Sequence, residues 1–502
     1  MKHHVRRSLA CVLVTLMLFC AVPAGASAAG FTDVPANSWA AKDIDRCVEL
    51  GLFQGETSTR FGMGHQMTRA AFTVVLCRFF GWEMVKPETG TYADVQDASV
   101  WYYSAVETAY ANGAITRQTE TFRPKDPITR EEMAVMLVRA LGYGTLAGLS
   151  QDLSMPFTDV TTNAGYISMA YELGIINGTS ATTFSPDRTA TREQAAVMLM
   201  RLYDKYHCQS PGLVGIAAGE EADDWNGYEA VAITGGRLSV GSQVQVALPE
   251  TGRAAAMSAA ARSAGVKALL YVAGNNSSLR GGAAETAEAL AAAVRSGGYD
   301  GLYLDLPQLN DSRRAALTNV VTALKSCLGE SLLYVTVEAP AWQGKSYAAY
   351  DYAALSVSAD RLVVRVAPYQ KSGENFMTAP MEPLEEVYYA LATLRDTVPA
   401  EKLCLQLTTT ASVWKETKRD GTLTGAGVSA LLAEETGVEQ YYSKRYACAY
   451  LIRTAETPNK TVWYLNGQAA QERMQLCGLL GVDQICLSST GAVSEELLAV
   501  LR

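Results

Sequence analysis

The chain has 502 residues, of which 49% are hydrophobic and 19% are charged, an ordinary composition for globular domains. One hydrophobic core does not usually extend over so long a chain, so we expect at least two folded units. The formal net charge of −9, with no cluster of Lys and Arg, argues against a nucleic-acid-binding protein.

Residues 1–28 have the pattern of a secretory signal peptide. A basic start is followed by an uncharged apolar run from Leu9 to Val22 and by the small residues Ala26 and Ala28. At about 14 residues the run is too short to span a bilayer, which takes about 20. We therefore predict export, cleavage after Ala28 and no membrane association of the mature chain.

The mature chain offers no pattern for a metal or a cofactor. Ten cysteines less Cys11 and Cys20 leave eight, which are scattered with no C-x-x-C pair, so their disulfide pairing stays open. Its two histidines, His65 and His207, have no metal-ligand spacing around them. We expect neither a metal site nor a cofactor.

A unit of about 60 residues occurs three times between residues 30 and 207. Each copy opens with aromatic-x-Asp-Val, continues with an aromatic residue, a glycine-containing turn and a Phe, and has a Thr-Arg pair seven residues after that Phe. The opening aspartates are Asp33, Asp94 and Asp159, the aromatic residues are Trp39, Trp101 and Tyr166, and the arginines are Arg69, Arg130 and Arg192.

The Thr-Arg pair of each copy predicts the start of an amphipathic helix. Thr129 with Glu132, and Thr191 with Gln194, form capping boxes, whereas copy one has Ala71 at the corresponding position. One helix cannot bury its apolar stripe alone, so we expect the three copies to pack together.

The three arginines have two interpretations. A cation at a helix N-terminus is mildly unfavourable, so a functional reason would be to concentrate positive potential where an anion binds. Alternatively, each arginine pairs with the opening aspartate of a copy and only holds the copies together. The residues leave both interpretations open.

This threefold pattern resembles the S-layer homology family over roughly residues 30–207. The resemblance implies a multidomain protein with an all-α module of three repeats, at residues 30–86, 91–144 and 155–207. In that family the module binds secondary cell-wall polysaccharide, commonly through a pyruvylated terminal sugar whose carboxylate would contact the arginines. The implied polysaccharide-binding residues are Arg69, Arg130, Arg192, Asp33, Asp94, Asp159, Trp39 and Trp101.

Two departures from the family's pattern bear on which copies bind. Copy two has Arg117 in place of the second glycine of the turn. Copy one has Met63-Gly64-His65 in place of the proline-containing run of the other two copies. We expect Arg130 and Arg192 to carry most of the anion recognition, because their copies keep the capping box and the proline-containing run.

Residues 212–502 have a different rhythm, in which short apolar runs alternate with alanine-rich helical runs. The strand candidates are Val231–Thr234, Ala268–Val272, Leu302–Leu306, Leu332–Val337, Leu362–Val366, Leu403–Leu407 and Gln484–Leu487. The alternation predicts a parallel sheet covered by helices on both faces. At least seven strands favour a TIM-type (β/α)8 barrel, an α/β fold, although an open doubly wound sheet has the same rhythm.

Two carboxylates stand at the ends of candidate strands. Period-two alternation points Tyr303, Asp305 and Pro307 toward the barrel interior. Glu338 ends another strand, and Trp342 follows it closely. Two carboxylates beside aromatic residues are typical of sugar hydrolases, but both acids could equally cap neighbouring backbone N–H groups.

This half of the chain also resembles the family 18 glycoside hydrolases, in particular those of spore-cortex and cell-wall lysis, over about residues 225–495. The resemblance rests on Gly298–Asp305, Leu403–Leu407 and Val462–Tyr464. The family's motif is Asp-Gly-x-x-x-Asp-x-Glu, in which the glutamate is the general acid and the substrate's own N-acetyl oxygen is the nucleophile.

The chain departs from that motif at the acid itself. Asp300 and Asp305 match the two aspartates of this motif, but Pro307 stands at the position of the glutamate. The family also has an aspartate between these two, and Tyr303 stands at that position. The resemblance therefore predicts a non-catalytic relative.

Other site residues of the family are also lost. Its later Tyr-Asp pair falls on Ala367-Pro368, with Tyr369 displaced, and its site tryptophan falls near Ser488. The candidates that remain for holding glycan in the barrel are Asp300, Tyr303, Trp342 and Tyr369.

Three functions fit the sequence. The leading one is an exported surface protein, anchored non-covalently to a bacterial cell wall by the repeats, whose non-catalytic barrel binds peptidoglycan or another N-acetylhexosamine glycan. The first alternative is an active cell-wall glycosidase acting on N-acetylglucosamine-containing glycan, with Asp305 and Glu338 as candidate catalytic residues. The second is a structural S-layer subunit.

Overall fold

The computed structural model describes residues 30–149, 155–207, 210–217, 224–341, 347–366, 378–434, 436–454, 459–491 and 493–502. The predicted signal peptide lies outside these residues. The chain forms two compact units: residues up to Gly142 with Pro156–Asn163 and Ile176–Arg201, and Tyr143–Met155 with Ala164–Ile175 and Leu202–Arg502. Within the described ranges, no helix has the length and apolar character needed to cross a membrane.

The described part of residues 30–207 is rich in helix. Its helices are α1 (Ala41–Glu49), α2 (Arg69–Phe80), α3 (Tyr103–Ala111), α4 (Arg130–Ala140), α5 (Gly144–Leu149), α6 (Ala164–Glu172) and α7 (Arg192–Tyr206). Helices α5 and α6 belong to the second unit.

The helices α2, α4 and α7 begin at the arginine of each Thr-Arg pair, as predicted. Thr129 Oγ1 accepts from the Glu132 backbone N–H at 3.2 Å while Glu132 Oε2 accepts from the Thr129 N–H at 3.0 Å, which confirms the capping box. In copy three, Gln194 Oε1 accepts from the Thr191 N–H at 3.1 Å. Copy one keeps only the threonine half of the arrangement, since Ala71 has no acceptor.

The three copies meet at a closed triangle of backbone hydrogen bonds in the first unit. Met67 donates to Ala190, Ala190 donates to Ile128, and Ile128 donates to Met67, at 2.8–3.0 Å. Isolated β-bridges flank these residues, at Gln66 with Thr191, Thr68 with Pro127 and Thr129 with Thr189. The all-α expectation is not confirmed: the region is rich in helix, but the extended residues before each helix find partners for their amides in another copy.

The second unit contains all fourteen strands of the described residues. They are β1 (Gly212–Ala217), β2 (Tyr228–Val240), β3 (Val244–Ala247), β4 (Lys267–Ala273), β5 (Gly301–Asp305), β6 (Leu332–Glu338), β7 (Arg361–Arg365), β8 (Leu403–Leu407), β9 (Ala411–Lys415), β10 (Lys418–Leu423), β11 (Val438–Ser443), β12 (Cys448–Arg453), β13 (Lys460–Tyr464) and β14 (Gln484–Leu487). Strands β1, β2, β4–β8 and β14 pair in parallel, and β1 pairs with both β2 and β14. The sheet closes on itself, which confirms the TIM-type barrel.

Helices follow the barrel strands on the outside of the barrel. They are α8 (Thr251–Ser263), α9 (Ala283–Gly297), α10 (Arg314–Leu328), α11 (Tyr352–Ser358), α12 (Leu384–Arg395), α14 (Gly467–Leu480) and α15 (Glu495–Leu501), while α13 (Gly425–Leu432) lies in an insertion. The barrel interior is filled by buried side chains from alternate positions, among them Val214, Leu269, Tyr303, Val363 and Cys404.

Strand β1 was not among the predicted strands. Its glycines hide the strand pattern, and one of them is required by packing. A Cβ on Gly215 would lie 2.3 Å from Thr490 Cγ2 and 2.9 Å from Tyr228 Cε1. The strand is therefore glycine-rich because the barrel closes tightly around it.

An insertion between β8 and β14 is the second feature that the sequence prediction missed. Strands β9–β13 form a separate antiparallel sheet in the order β10-β9-β13-β12-β11. One face packs against α13 through Val413, Val428, Leu451 and Val462. The other face carries Trp414, Tyr450 and Trp463.

The described cysteines are free thiols, and all but Cys327 are buried. Burial raises the pKa of Cys47 and of Cys77 to about 12. A thiol with so high a pKa is a poor nucleophile, so these residues act as small apolar side chains. Cys208 lies outside the described residues.

Candidate functional site

The arginine of each Thr-Arg pair lies against the phenylalanine of another copy. The guanidinium carbon is 4.6–4.9 Å from the ring centroid in all three pairs, which are Arg69 with Phe122, Arg130 with Phe184 and Arg192 with Phe61. In each pair Nε also donates to the backbone carbonyl of that phenylalanine, at 2.8–3.0 Å. The arrangement is cyclic, so each arginine lies at a junction between two copies.

The outer nitrogens of these arginines distinguish one junction from the other two. Arg130 Nη2 donates to the Asn177 carbonyl and Arg192 Nη2 donates to the Gln54 carbonyl, each at 2.7 Å. In the described part of the chain, Nη1 of both arginines has no hydrogen-bond partner. Arg69 differs, because its Nη1 lies 2.6 Å from Glu132 Oε1.

The opening aspartates hold the loops of their own copies. Asp33 accepts three backbone hydrogen bonds, from Phe61, Gly62 and Met63, at 2.7–3.0 Å, and Asp94 and Asp159 each accept two from the corresponding loop of their own copy, at 2.7–2.8 Å. Burial acts to raise the pKa of Asp33, but these N–H groups outweigh it and the pKa lies below its ordinary value. Among the described residues, none of the three arginines forms an ion pair with an opening aspartate.

The first amide of each helix is satisfied by a loop carbonyl of a neighbouring copy. Arg69 N–H donates to Asp126, Arg130 N–H to Arg188 and Arg192 N–H to His65, at 2.9–3.0 Å. An anion at a junction would therefore meet the guanidinium group rather than the helix N–H groups on which the sequence argument also relied.

Arg130 has two further arginines near it, Arg188 and Arg201, with Asp159 acting in the opposite direction. Burial lowers the pKa of Arg130, and the nearby charges of Arg188 and Arg201 lower it further. Burial also lowers the pKa of Arg192, but Glu56 and Asp33 act in the opposite direction there. A cluster of cations around a half-buried guanidinium favours a bound anion.

The two tryptophans predicted to bind polysaccharide lie at the surface. Trp39 is 62% exposed and Trp101 is 66% exposed. Such large apolar rings in contact with solvent are available to a partner.

At the mouth of the barrel, Asp305 and Glu338 share one arginine. Asp305 ends β5, Glu338 ends β6, and both are buried. Arg365, at the end of β7, places Nη2 2.6 Å from Asp305 Oδ2 and Nη1 3.5 Å from Glu338 Oε1. Gln406 Oε1 accepts from Arg365 Nε at 2.9 Å. The sequence prediction brought the two acids together correctly but missed the cation between them.

Two tyrosines complete this network. Tyr271 Oη donates to Asp305 Oδ2 at 2.6 Å. Tyr303, which stands where the family has its middle aspartate, stacks on Tyr271 with ring centroids 5.3 Å apart and accepts from Gln406 Nε2 at 3.4 Å. Tyr303 is fully buried, so it supports the network and does not reach the surface of the mouth.

The pKa values of Glu338 and Arg365 are both raised, but for different reasons. Burial raises the pKa of Glu338, although Arg365 opposes this. Burial acts to lower the pKa of Arg365, but Asp305 reverses the direction and the pKa of Arg365 is raised. The strong pair is therefore Arg365 with Asp305, and Glu338 is the weaker partner.

The acid position of the motif carries no titratable group. Pro307 follows β5, and Gln308 turns the chain with a left-handed φ of 53°. The Gln308 N–H donates to Glu338. Nearby, Tyr350 Oη donates to the Leu306 carbonyl at 3.0 Å.

The other predicted barrel residues do not join this site. Asp300 precedes β5, at the opposite end from Asp305, where it accepts from the Ala268 N–H at 2.8 Å. Trp342 and Tyr369 lie outside the described residues. Ser488, near the position expected for the family's tryptophan, has a hydroxyl that accepts from the Thr409 N–H at 3.0 Å.

The insertion sheet carries a strip of aromatic rings that sequence reasoning did not identify. Tyr441, Tyr450 and Trp463 are directly opposite one another on β11, β12 and β13. Their ring centroids are 5.2 and 4.5 Å apart, and exposure increases along the strip to 43% at Tyr441. Trp463 Nε1 donates at 3.0 Å to Thr378, which lies in the connection after β7, the strand of Arg365. The recurrence of aromatic residues in 441–463 was the available signal.

Two family models match the chain. The S-layer homology domain matches residues 30–73, 91–134 and 156–196. The glycosyl hydrolases family 18 model matches residues 223–477, just over half of the chain.

Curated relatives match a smaller part. An endoglucanase of Bacillus sp. (strain KSM-635) is 32% identical over 182 residues, and an S-layer protein of Bacillus thuringiensis subsp. finitimus is 29% identical over 182 residues. These alignments cover 34% and 36% of this chain. The chain spans only 18% and 22% of the two relatives.

Among solved structures, the chitinase from Chromobacterium violaceum ATCC 12472 is similar with a TM-score of 0.50 at 15% identity. The similarity covers 58% of this chain and 98% of that chain. At this identity the similarity establishes the fold alone.

Proposed function

Because this chain belongs to the glycosyl hydrolases family 18 and carries three S-layer homology domains, we propose that it is an exported cell-surface protein, held on the cell wall by secondary wall polysaccharide, whose barrel binds glycan without hydrolysing it.

The S-layer homology match points to the cell surface, and the arginines suggest how the protein is held there. Arg130 and Arg192 each keep an Nη1 that has no hydrogen-bond partner among the described residues. An arginine with free N–H groups beside an aromatic ring suits a carboxylate on a sugar, such as a pyruvate ketal. Trp39 and Trp101 add exposed rings on which apolar sugar faces can pack.

The non-catalytic assignment rests on Pro307. General acid catalysis needs a titratable group within hydrogen-bond reach of the leaving oxygen, and proline has none. Asp305 and Glu338 are poor substitutes, because Arg365 binds both carboxylates. Each acid would have to leave Arg365 before it could approach a leaving oxygen.

The active-glycosidase alternative has one observation in its favour. Burial raises the pKa of Glu338, as expected for a general acid. For catalysis, however, Glu338 would have to leave both Arg365 and the Gln308 N–H.

The barrel keeps features that suit glycan binding. The rings of Tyr441, Tyr450 and Trp463 extend from the connection after β7 to the solvent. Aromatic surfaces of this kind pack against the apolar faces of sugar rings. We therefore assign the strip, together with the barrel mouth, to holding an N-acetylhexosamine glycan.

Sedimentation with cell-wall sacculi tests the proposed anchoring. The full chain without its predicted signal should bind sacculi and lose binding when acid strips the secondary polysaccharide. Arg130→Ala should weaken binding by about tenfold or more, since a hydrogen bond to a charged group contributes about 1.5–3 kcal/mol. Arg192→Ala should have a smaller effect, because Glu56 and Asp33 already reduce the positive potential there. Equal binding to stripped sacculi would exclude the polysaccharide as the ligand.

A further inference from the structure

The junction that contains Arg69 has a groove unlike those of the other two arginines. A cavity of about 460 Å³ lies beside Arg69, and its lining includes Phe122, Glu131, Glu132 and Arg139. We call it the Arg69 groove. Its volume is in the range of small-ligand sites, so space does not exclude a sugar residue.

In the Arg69 groove, the carboxylate of Glu132 forms ion pairs with the arginines that a ligand anion would contact. Its Oε1 lies 2.6 Å from Arg69 Nη1 and 2.5 Å from Arg123 Nη2. Its Oε2 accepts from the Thr129 N–H at 3.0 Å. Burial acts to raise the pKa of Glu132, but the Thr129 N–H and the arginines outweigh it, so the pKa is lowered and the carboxylate is ionised near neutral pH.

At the other two junctions the position equivalent to Glu132 is not a carboxylate, although Asp159 acts on Arg130 from farther away, as Glu56, Asp33 and Glu193 do on Arg192. Each junction combines the arginine of one copy with the start of the following copy's helix. The residue equivalent to Glu132 is therefore Gln194 at the Arg130 junction and Ala71 at the Arg192 junction. Glu132 contacts Nη1 of Arg69. The Nη1 atoms of Arg130 and Arg192 have no hydrogen-bond partner among the described residues.

We propose that Glu132 is an internal counter-carboxylate that excludes the anionic group of the wall polysaccharide from the Arg69 groove, so that anion recognition is confined to the Arg130 and Arg192 junctions. The inference rests on the proposed function, because it presumes that these junctions bind an anionic sugar. A ligand carboxylate at Arg69 would lie beside Glu132, and two carboxylates in contact repel each other.

Glu132→Gln tests the inference in the full chain. Glutamine keeps the acceptor that caps α4, as Gln194 shows in copy three, so the helix start is retained. The probe is an N-acetylhexosamine methyl glycoside carrying a 4,6-linked pyruvate ketal, titrated by calorimetry. We expect two binding sites per wild-type chain and three per variant chain.

Glu131→Gln is the matched control. Glu131 lines the same groove and the substitution removes the same charge, but Glu131 Oε1 accepts from Thr162 Oγ1 and Asn163 Nδ2 at 2.7 and 2.5 Å. This variant should keep two sites. A third site in the control as well would show that net charge alone excludes the anion, and would overturn the role of Glu132.

A further pair of variants measures probe binding at the Arg69 groove without the other two junctions. Arg130→Gln with Arg192→Gln should remove pyruvylated-probe binding, and adding Glu132→Gln should restore one site, bound at least about tenfold more tightly than in the double variant. Failure to restore it, with thermal midpoints unchanged, would overturn the inference but leave the proposed function intact. A wild-type chain that binds no probe at all would instead contradict the proposed function.

Discussion

At the scale of single residues, Arg365 decides what the barrel mouth can do. It is the cation between Asp305 and Glu338, and it also binds Gln406. A carboxylic acid can act as a proton donor only within hydrogen-bond reach of the leaving oxygen, and both acids are held by Arg365 instead. Pro307 at the acid position and Arg365 between the two remaining acids therefore both argue against a proton donor at the barrel mouth.

Removing Arg365 should be costly to stability. In Arg365→Ala the two carboxylates stay buried without their cation, and breaking a buried ion pair in this way costs about 3–5 kcal/mol. Arg361→Ala is the control, because Arg361 is on the same strand but pairs with Asp483, which is 57% exposed. An exposed pair contributes about 0–1 kcal/mol. Thermal denaturation of the full chain should show a large fall only for Arg365→Ala, and similar falls would argue against the network.

Glu338 should affect stability in a pH-dependent way. Its pKa is raised in the folded protein, so the protonated form stabilises the fold below the unfolded pKa of about 4.3 and this contribution is lost as the pH rises through the folded pKa. Glu338→Gln should therefore raise the thermal midpoint at pH 7 and change it little below pH 4. A variant less stable than wild type at pH 7 would mean that the contact with Arg365 outweighs burial.

The sequence identified the acids of the mouth but not this arginine, for a physical reason. Asp305 and Glu338 stood out as acids at the ends of apolar strands. Arg365 lies 60 residues from Asp305 and 27 from Glu338, so only the closed barrel brings them together. Nothing in the local pattern of β7 distinguishes Arg365 from Arg361.

At the scale of elements, local chemistry determined what could be predicted. The starts of α2 and α4 follow from the capping threonines Thr68 and Thr129, and the start of α7 follows from Gln194, whose side chain accepts from the Thr191 N–H; all these hydrogen bonds are local in sequence. Strand β1 and the insertion sheet depend on contacts with distant strands, and their local patterns are weak. The prediction therefore identified the helical repeats and most barrel strands. It expected a single parallel sheet in residues 212–502, where the structure has the barrel and a separate antiparallel sheet.

The glycine turn of copy three should be sensitive to a single methyl group. A Cβ on Gly178 would lie 2.3 Å from the Ser180 carbonyl and 2.6 Å from Phe157 Cε1, so Gly178→Ala should cost about 1–3 kcal/mol. Because the preceding Asn177 carbonyl holds Arg130, wall binding should weaken as well. Gly252→Ala in α8 is the control, since nothing lies within 4 Å of its Cβ. Unchanged thermal midpoint and wall binding in Gly178→Ala would show that the turn does not position Arg130.

At the scale of the whole molecule, the chain combines a repeat module with a barrel of glycosyl hydrolases family 18 in which Pro307 stands at the acid position of the motif. Both parts could be recognised from sequence because each carries a motif with fixed spacing, three times in one case and once in the other. The same motif predicted the loss of catalysis, since its acid position is Pro307. The aromatic strip on the insertion sheet was not predicted: the recurrence of aromatic residues in 441–463 was a signal, but the rings meet only across three paired strands.

The most direct test of the account is turnover of a defined glycan by the full chain. A hexamer of N-acetylglucosamine and purified peptidoglycan would be incubated with the protein, and bound and free oligomers would be followed by mass spectrometry. The account predicts that the hexamer binds, that binding weakens in Tyr441→Ala, and that all of it is recovered intact. Shorter oligomers that disappear in Glu338→Gln or Asp305→Asn would contradict the account and identify an active glycosidase.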